Sequence, residues 1–308
     1  HSTNWLSGIW KYLGTDWNGS DGWSMHFNPS SEPEGTEAAL YIQAYDMAGN
    51  WAGAAAWNLG IDKTPPTTAM KHLGATQPSN AFLLEWTASD NLSGIDYVEL
   101  QEQMNSNGSW TTYPLIDESE VNHWIVGVPG NNYAYRLRGV DHSGNSETYP
   151  ATAETGTSVP VADVICFAMD SYDTGGDDNS PARASLIYAD GASQMHNYCN
   201  PLAANRQNDE DWIKLNVVQG VHYRIESLAN SLPSASRISL YAQDGTTLIA
   251  ETIPVSFGDN TYLMWAADRT AQVYIRLRHL DGRVIGNDVG ATISVKTGIL
   301  YLLPLLNR

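Results

Sequence analysis

Tyr133-Ala134-Tyr135-Arg136-Leu137-Arg138-Gly139-Val140-Asp141-His142-Ser143-Gly144-Asn145 alternates apolar and polar side chains and then runs into an Asp-x-x-Gly-Asn turn. Tyr133, Tyr135 and Leu137 share one phase of a two-residue period, so the segment is predicted to be a strand with one buried face. Gly144 supplies the positive φ that such a turn requires. The same design occurs earlier, where Ala39-Leu40-Tyr41-Ile42-Gln43-Ala44-Tyr45 leads into Asp46-Met47-Ala48-Gly49-Asn50. The parallel extends upstream: Ser7-Gly8-Ile9 and Trp23 match Ser93-Gly94-Ile95 and Trp110. The chain is thus a tandem of related β units, of which the second has a further apolar run, Phe82-Leu83-Leu84-Glu85-Trp86, ahead of its Ser-Gly-Ile. The first copy has no counterpart of that run in the sequence. A sandwich without an opening strand leaves its core and one strand edge uncovered, and another chain is expected to cover them.

Asp62-Lys63-Thr64-Pro65-Pro66 separates the two copies, because paired prolines do not fit a central strand. Thr157-Ser158-Val159-Pro160 takes the same relative place after the second copy. These breaks predict units at 1–63, 64–158 and 159–297, with a tail at 298–308. Beyond Val161 come acidic loops, Asp170-Ser171-Tyr172-Asp173 and Asp177-Asp178-Asn179-Ser180, then His196-Asn197-Tyr198-Cys199 and Asp209-Glu210-Asp211-Trp212. Strand-like runs follow at Tyr223–Ser227, Arg237–Ala242, Leu263–Ala266, Val273–Arg278 and Thr292–Lys296, with hairpin-type turns expected at Asp244-Gly245 and Asp281-Gly282. Helical periodicity is nearly absent, so the fold class is all-β.

Residues 1 to about 158 resemble bacterial Ig-like or fibronectin-type-III-like modules, on the strength of Trp86–Asp96, Tyr133–Asn145 and Ile61–Pro66. Asp170 to Lys296 resembles the bacterial pre-peptidase C-terminal domain. That likeness rests on the order D-x-Y, D-D, D-E-D-W, L-Y-x-x-D-G and Y-I-R-L-R. The resemblances imply two Ig-like sandwiches, the first N-terminally truncated, and a jelly-roll-like β-sandwich. Relatives of the third domain often carry a cysteine just after the Asp-Asp pair; Ser180 stands there in this chain, and Cys166 lies 14 residues earlier. An isolated cysteine pair in an exported-looking protein reads as one disulfide, Cys166 with Cys199, although the resemblance does not itself secure that pairing.

With 34 Asp+Glu against 16 Lys+Arg the net charge is −18. No basic stripe is available for phosphates or anionic lipid, which argues against nucleic acid and membrane-surface partners. No run reaches the ~18 apolar residues of a membrane-spanning helix. The chain opens on His1, which suggests a precursor cut before that residue or a fragment. No HExxH, GxSxG, P-loop or GxGxxG motif is present, and the eight His are scattered singly. A lone His in a β domain is usually an ordinary surface or core residue, and a non-catalytic protein is expected.

Two ligand classes remain. Asp170, Asp173, Asp177, Asp178, Asp209 and Asp211 fall in two loops, and calcium, with six to eight oxygen ligands, is the cofactor they suggest. Some relatives of the pre-peptidase domain bind calcium near the opening acidic loop; solvated strand-capping loops are the alternative. Trp5, Trp10, Trp17, Trp23 and Trp51 crowd the first unit, and such rings either stack on carbohydrate or bury an open sandwich face.

The tail is apolar on both strand phases, with Leu300, Leu302 and Leu306 on one side and Ile299, Tyr301, Leu303 and Leu305 on the other. These residues are the candidate assembly segment, with Pro304 marking its end as a strand. The favoured function is an extracellular or cell-surface structural subunit, a homo-oligomer or polymer joined by strand complementation. Two alternatives stand beside it: the accessory C-terminal region of a secreted peptidase or hydrolase, associated with an upstream fragment of its own precursor, and a sugar- or matrix-binding module.

Overall fold

A computed structural model describes residues 10–106, 108–173 and 178–298. The Ser7-Gly8-Ile9 motif, Trp5, Asp177 and the assembly segment 299–308 lie outside the described residues. The first unit holds two short 3-10 turns and one antiparallel hairpin, β1 (Gly35–Tyr45) and β2 (Trp51–Ile61). Asp46 closes the hairpin by accepting the amides of Ala48 and Asn50 at 2.9 and 2.8 Å, and Gly49 adopts φ 87°.

The second unit is a sandwich of two sheets. One pairs β3 (Thr67–Met70), β4 (Ala81–Ser89) and, from further along the chain, the strand Asn122–Val126. The other contains β5 (Ile95–Met104) with the short strands β6 (Thr111–Thr112) and β7 (Ile116–Asp117). With Asn122–Val126 taken as β8, the second sheet is completed by β9 (Asn131–Asp141) and β10 (Thr155–Val159), in the order β10-β9-β5-β6. The alternation read from sequence is the packing observed: Tyr133, Tyr135 and Leu137 of β9 and Phe82, Leu84 and Trp86 of β4 are all buried between the sheets.

The third unit is also a two-sheet sandwich. Its strands are β11 (Ser185–Ile187), β12 (Asp190–Asn197), β13 (Glu210–Val217), β14 (His222–Ala229), β15 (Ser236–Tyr241), β16 (Leu248–Thr252), β17 (Thr261–Ala266), β18 (Ala271–His279) and β19 (Gly290–Thr297). The sheets run β11-β13-β18-β15-β16 and β12-β19-β14-β17. Asp244-Gly245 joins the paired strands β15 and β16 as expected. Asp281-Gly282 does not make a hairpin: β18 and β19 belong to different sheets, so this turn carries the chain across the sandwich.

Asn80 fastens the second and third units together. It is 1% exposed, donates to the carbonyls of Gly127 (3.0 Å) and Arg283 (2.9 Å), and accepts the amide of Ile285 at 2.8 Å. Ile285 packs into the core of the second unit, and Ala81 and Val126 pack against that of the third.

Cys166 and Cys199 form a disulfide, both fully buried, with Cα atoms 5.3 Å apart. The bridge spans 33 residues, which corresponds to roughly 3–4 kcal/mol in the chain-entropy model. Unreduced protein should therefore present no alkylatable thiol. Its denaturant midpoint should fall on reduction by an amount matching that energy; two reactive thiols in the native protein would contradict the pairing.

Candidate metal centre

β12 and β13 lie in different sheets, and each directs alternate side chains into the sandwich. On β13 the inward column is Asp211, Ile213, Leu215 and Val217, so an aspartate occupies the first place of a row that is otherwise aliphatic. On β12 the inward pair is Gln194 and His196. The two columns converge at one end of the core, where His196 and Asp211 meet and Asp170 lies beside them.

His196 Nδ1 lies 3.0 Å from Asp211 Oδ1 and 3.4 Å from Asp170 Oδ2, with side-chain exposures of 0%, 0% and 7% respectively. The three donor atoms fall within 4.8 Å of one another. On the far side of the ring, Nε2 faces Gln194 Oε1 at 3.4 Å, and Gln194 is itself held by donating to the Leu186 carbonyl at 2.8 Å. Tyr172 stacks on the imidazole at 4.8 Å. Asp170 also accepts the amides of Tyr172 and Asn197, which fixes its carboxylate relative to the ring.

The remaining acidic residues are buried beside this group. Asp173 and Asp178 are 2% exposed and Asp209 is 6% exposed. Asp173 accepts the Asp178 amide at 3.2 Å. Oδ2 of Asp178, of Asp209 and of Asp211 is buried without a hydrogen-bond partner. Burial, reinforced by neighbouring carboxylates, pushes Asp178 and Asp209 up to about 8. Burial likewise raises Asp211, with the His196 cation offsetting part of the effect. Burial also opposes a charge on His196, but Asp211 and Asp170 outweigh it and hold the ring at about 10. One imidazolium thus stands among five buried carboxyl groups, and burial pushes Asp178, Asp209 and Asp211 toward their neutral form unless a further cation is present. A surplus of negative charge is costly in a low-dielectric interior unless a further cation or protons neutralise it.

Of the six aspartates expected as ligands, the structure brings Asp170 and Asp211 into a compact set and buries Asp173, Asp178 and Asp209 nearby; Asp177 lies outside the described residues. The third member of the compact set is His196, which in the sequence is one of the scattered histidines and carries no ligand signature. Orphaned buried oxygens, on carboxyl groups that burial alone would protonate, fit a divalent cation. The compact set does not match the oxygen-only cage that calcium takes, because one of its three donors is an imidazole nitrogen.

Asp62, Asp90 and Asp141 form another acidic group, at the base of the first hairpin. Their oxygens mostly accept turn amides, those of Thr64 and Ser93, of Leu92 and Gly94, and of Ser143 and Asn145 respectively. A cleft of about 410 Å³ opens between the second and third units, where the Glu102 carboxylate is engaged by the Tyr113 and Tyr135 hydroxyls at 2.8 and 2.9 Å.

No protein-family model matches this chain, and no curated protein matches it. Solved structures similar to it include both kinds of domain that the sequence resembles. The pre-peptidase C-terminal domain of a Bacillus anthracis collagenase is 15% identical, with 37% of this chain and 94% of that one covered and a TM-score of 0.29. A two-domain fibronectin type III segment of chicken tenascin is 9% identical, covering 76% and 100%, with a TM-score of 0.23. The secreted serine protease VesC from Vibrio cholerae is 12% identical, covering 76% and 51%, with a TM-score of 0.22. The all-β assignment rests on the strand pairing itself. Among the described residues no helix is long and apolar enough to cross a membrane.

Proposed function

We propose that this protein is a non-catalytic extracellular structural module whose first unit is completed by a strand from another chain. The observation that carries this reading is the contrast between the two copies of one motif. Aligning Asp46 on Asp141 sets Leu40 opposite Tyr135 and Ile42 opposite Leu137. Tyr135 and Leu137 are 0% and 1% exposed, whereas Leu40 and Ile42 are 37% and 62% exposed.

The register of the hairpin pairs Leu40 with Ala56, Ile42 with Ala54 and Ala44 with Ala52, which makes one continuous apolar face. An isolated two-stranded hairpin is marginal in water, and an apolar face on it favours a covering layer. The segment Ile299–Leu306 of a second copy is the occupant we favour, since it is apolar on both strand phases and needs burial on both. A head-to-tail contact of this kind does not close on itself and generates a polymer. If the cover is instead an upstream part of the same precursor, the protein is an accessory region of a larger secreted enzyme; a tightly held extra peptide in native mass spectra would show this. The opposite hairpin face carries Tyr41, Tyr45, Trp51 and Trp57, with Trp10 edge-on to Tyr41 and Trp57 at 6.2 and 6.1 Å. Carbohydrate is the ligand such an aromatic platform would take.

The second part of the proposal is that a divalent cation, calcium by the acidic-loop reading, neutralises the Asp cluster of the third unit. Three orphaned buried carboxylate oxygens support it. A cation that binds only the folded state raises stability with its concentration. Exhaustive chelation during refolding should lower the melting temperature by several degrees, and an unchanged melt would remove the cation from the account.

A further inference from the structure

We infer that the ion in this cluster is a borderline transition-metal dication such as Zn²⁺, held by Asp170, His196 and Asp211, rather than calcium. The inference rests on the reading that the cluster binds a dication and narrows which one. Donors on one tetrahedral zinc ion, each ~2.0–2.2 Å from it, lie about 3.3 Å apart. The spacings from His196 Nδ1, 3.0 Å to Asp211 and 3.4 Å to Asp170, bracket that value.

The surroundings of the ring match what a metal-bound histidine needs. A ligating imidazole nearly always donates its other N–H to an oxygen that fixes its orientation. Nε2 of His196 faces Gln194 Oε1, and the Gln194 amide is pinned to the Leu186 carbonyl. An ion at Nδ1 takes the place of the ring proton that otherwise bridges to the two carboxylates. The unpartnered Oδ2 of Asp211, on a residue 0% exposed, is at hand for the fourth position. Calcium would need six to eight oxygens at longer distances, and the imidazole nitrogen is a poor donor to it.

The test is refolding of the full chain from chelator into buffer containing Zn²⁺ alone, Ca²⁺ alone or neither, followed by elemental analysis and melting. Zn²⁺ should be retained at about one ion per chain after dialysis and should raise the melting temperature by several degrees more than Ca²⁺ does. His196→Gln should lose the Zn²⁺ response and leave any Ca²⁺ response unchanged. X-ray absorption of the wild-type zinc form should show imidazole scattering, which keeps the test independent of whether the variant folds. Stabilisation by Ca²⁺ without retention of Zn²⁺ would overturn the transition-metal assignment while leaving a cation site in place. A response to neither ion would remove both. Zinc bound without imidazole scattering would show that His196 is not a ligand and would refute the site as drawn.

Discussion

Deletion of residues 299–308 is expected to leave only monomers, with an unchanged fold in the second and third units, if the tail completes the hairpin of a second copy. The apolar hairpin face offers Leu40 and Ile42 over a floor of Ala44, Ala52, Ala54 and Ala56, so an incoming strand can approach closely. Burying four or five tail side chains contributes roughly 1.5–3 kcal/mol each. That sum is of the same order as the cost of associating two molecules, about 4–15 kcal/mol. A joint of this kind would therefore depend on most of the segment. Removing it should abolish assembly, while one Leu→Ala in it should weaken assembly by one to two orders of magnitude. Sedimentation of the two variants beside the full chain reads both effects. A truncated chain that still assembles would mean that the tail is not the occupant.

Asn80→Ala should be the most destabilising single substitution between the second and third units. It leaves the Gly127 and Arg283 carbonyls and the Ile285 amide without the side-chain partners they have now. Each buried group deprived of its partner costs about 1–3 kcal/mol, so a loss of ~3 kcal/mol or more is expected. Because the bonds to Arg283 and Ile285 join two sandwiches, unfolding in denaturant should also separate into two transitions. Asn80→Asp should recover only the bond from the Ile285 amide, since a carboxylate cannot donate to the two carbonyls. A single, barely shifted transition for Asn80→Ala would show that the Asn80 side chain is not what holds the units together.

Much of the architecture is legible from period-two alternation and turn chemistry. Tyr133, Tyr135 and Leu137 face the core as their spacing implies, and Asp46 and Asp141 close equivalent turns. Which sheet each strand joins is not legible in the same way. Asp281-Gly282 has the residues of a hairpin turn, but turn chemistry is local and does not report that the next strand pairs in the opposite layer. The candidate cation site has the same character. Asp170 and Asp211 stand out as acidic residues clustered along the chain, whereas His196 reaches them only because β12 and β13 face each other across the sandwich. A signal is present: Asp211 is in phase with Ile213, Leu215 and Val217, and a carboxylate at a core phase requires a buried partner.

Completion of the first unit from another chain is tested most directly by a cysteine cross-link. Copies carrying Ile42→Cys and copies carrying Leu302→Cys, of different isotopic mass, are mixed as monomers, allowed to assemble and oxidised mildly. A disulfide-linked peptide pair joining the two substituted positions, one partner light and the other heavy, is expected as the main new product. Disulfides joining only like positions, Ile42→Cys to Ile42→Cys or Leu302→Cys to Leu302→Cys, or none at all in assembled material, would contradict complementation by the tail of a second copy.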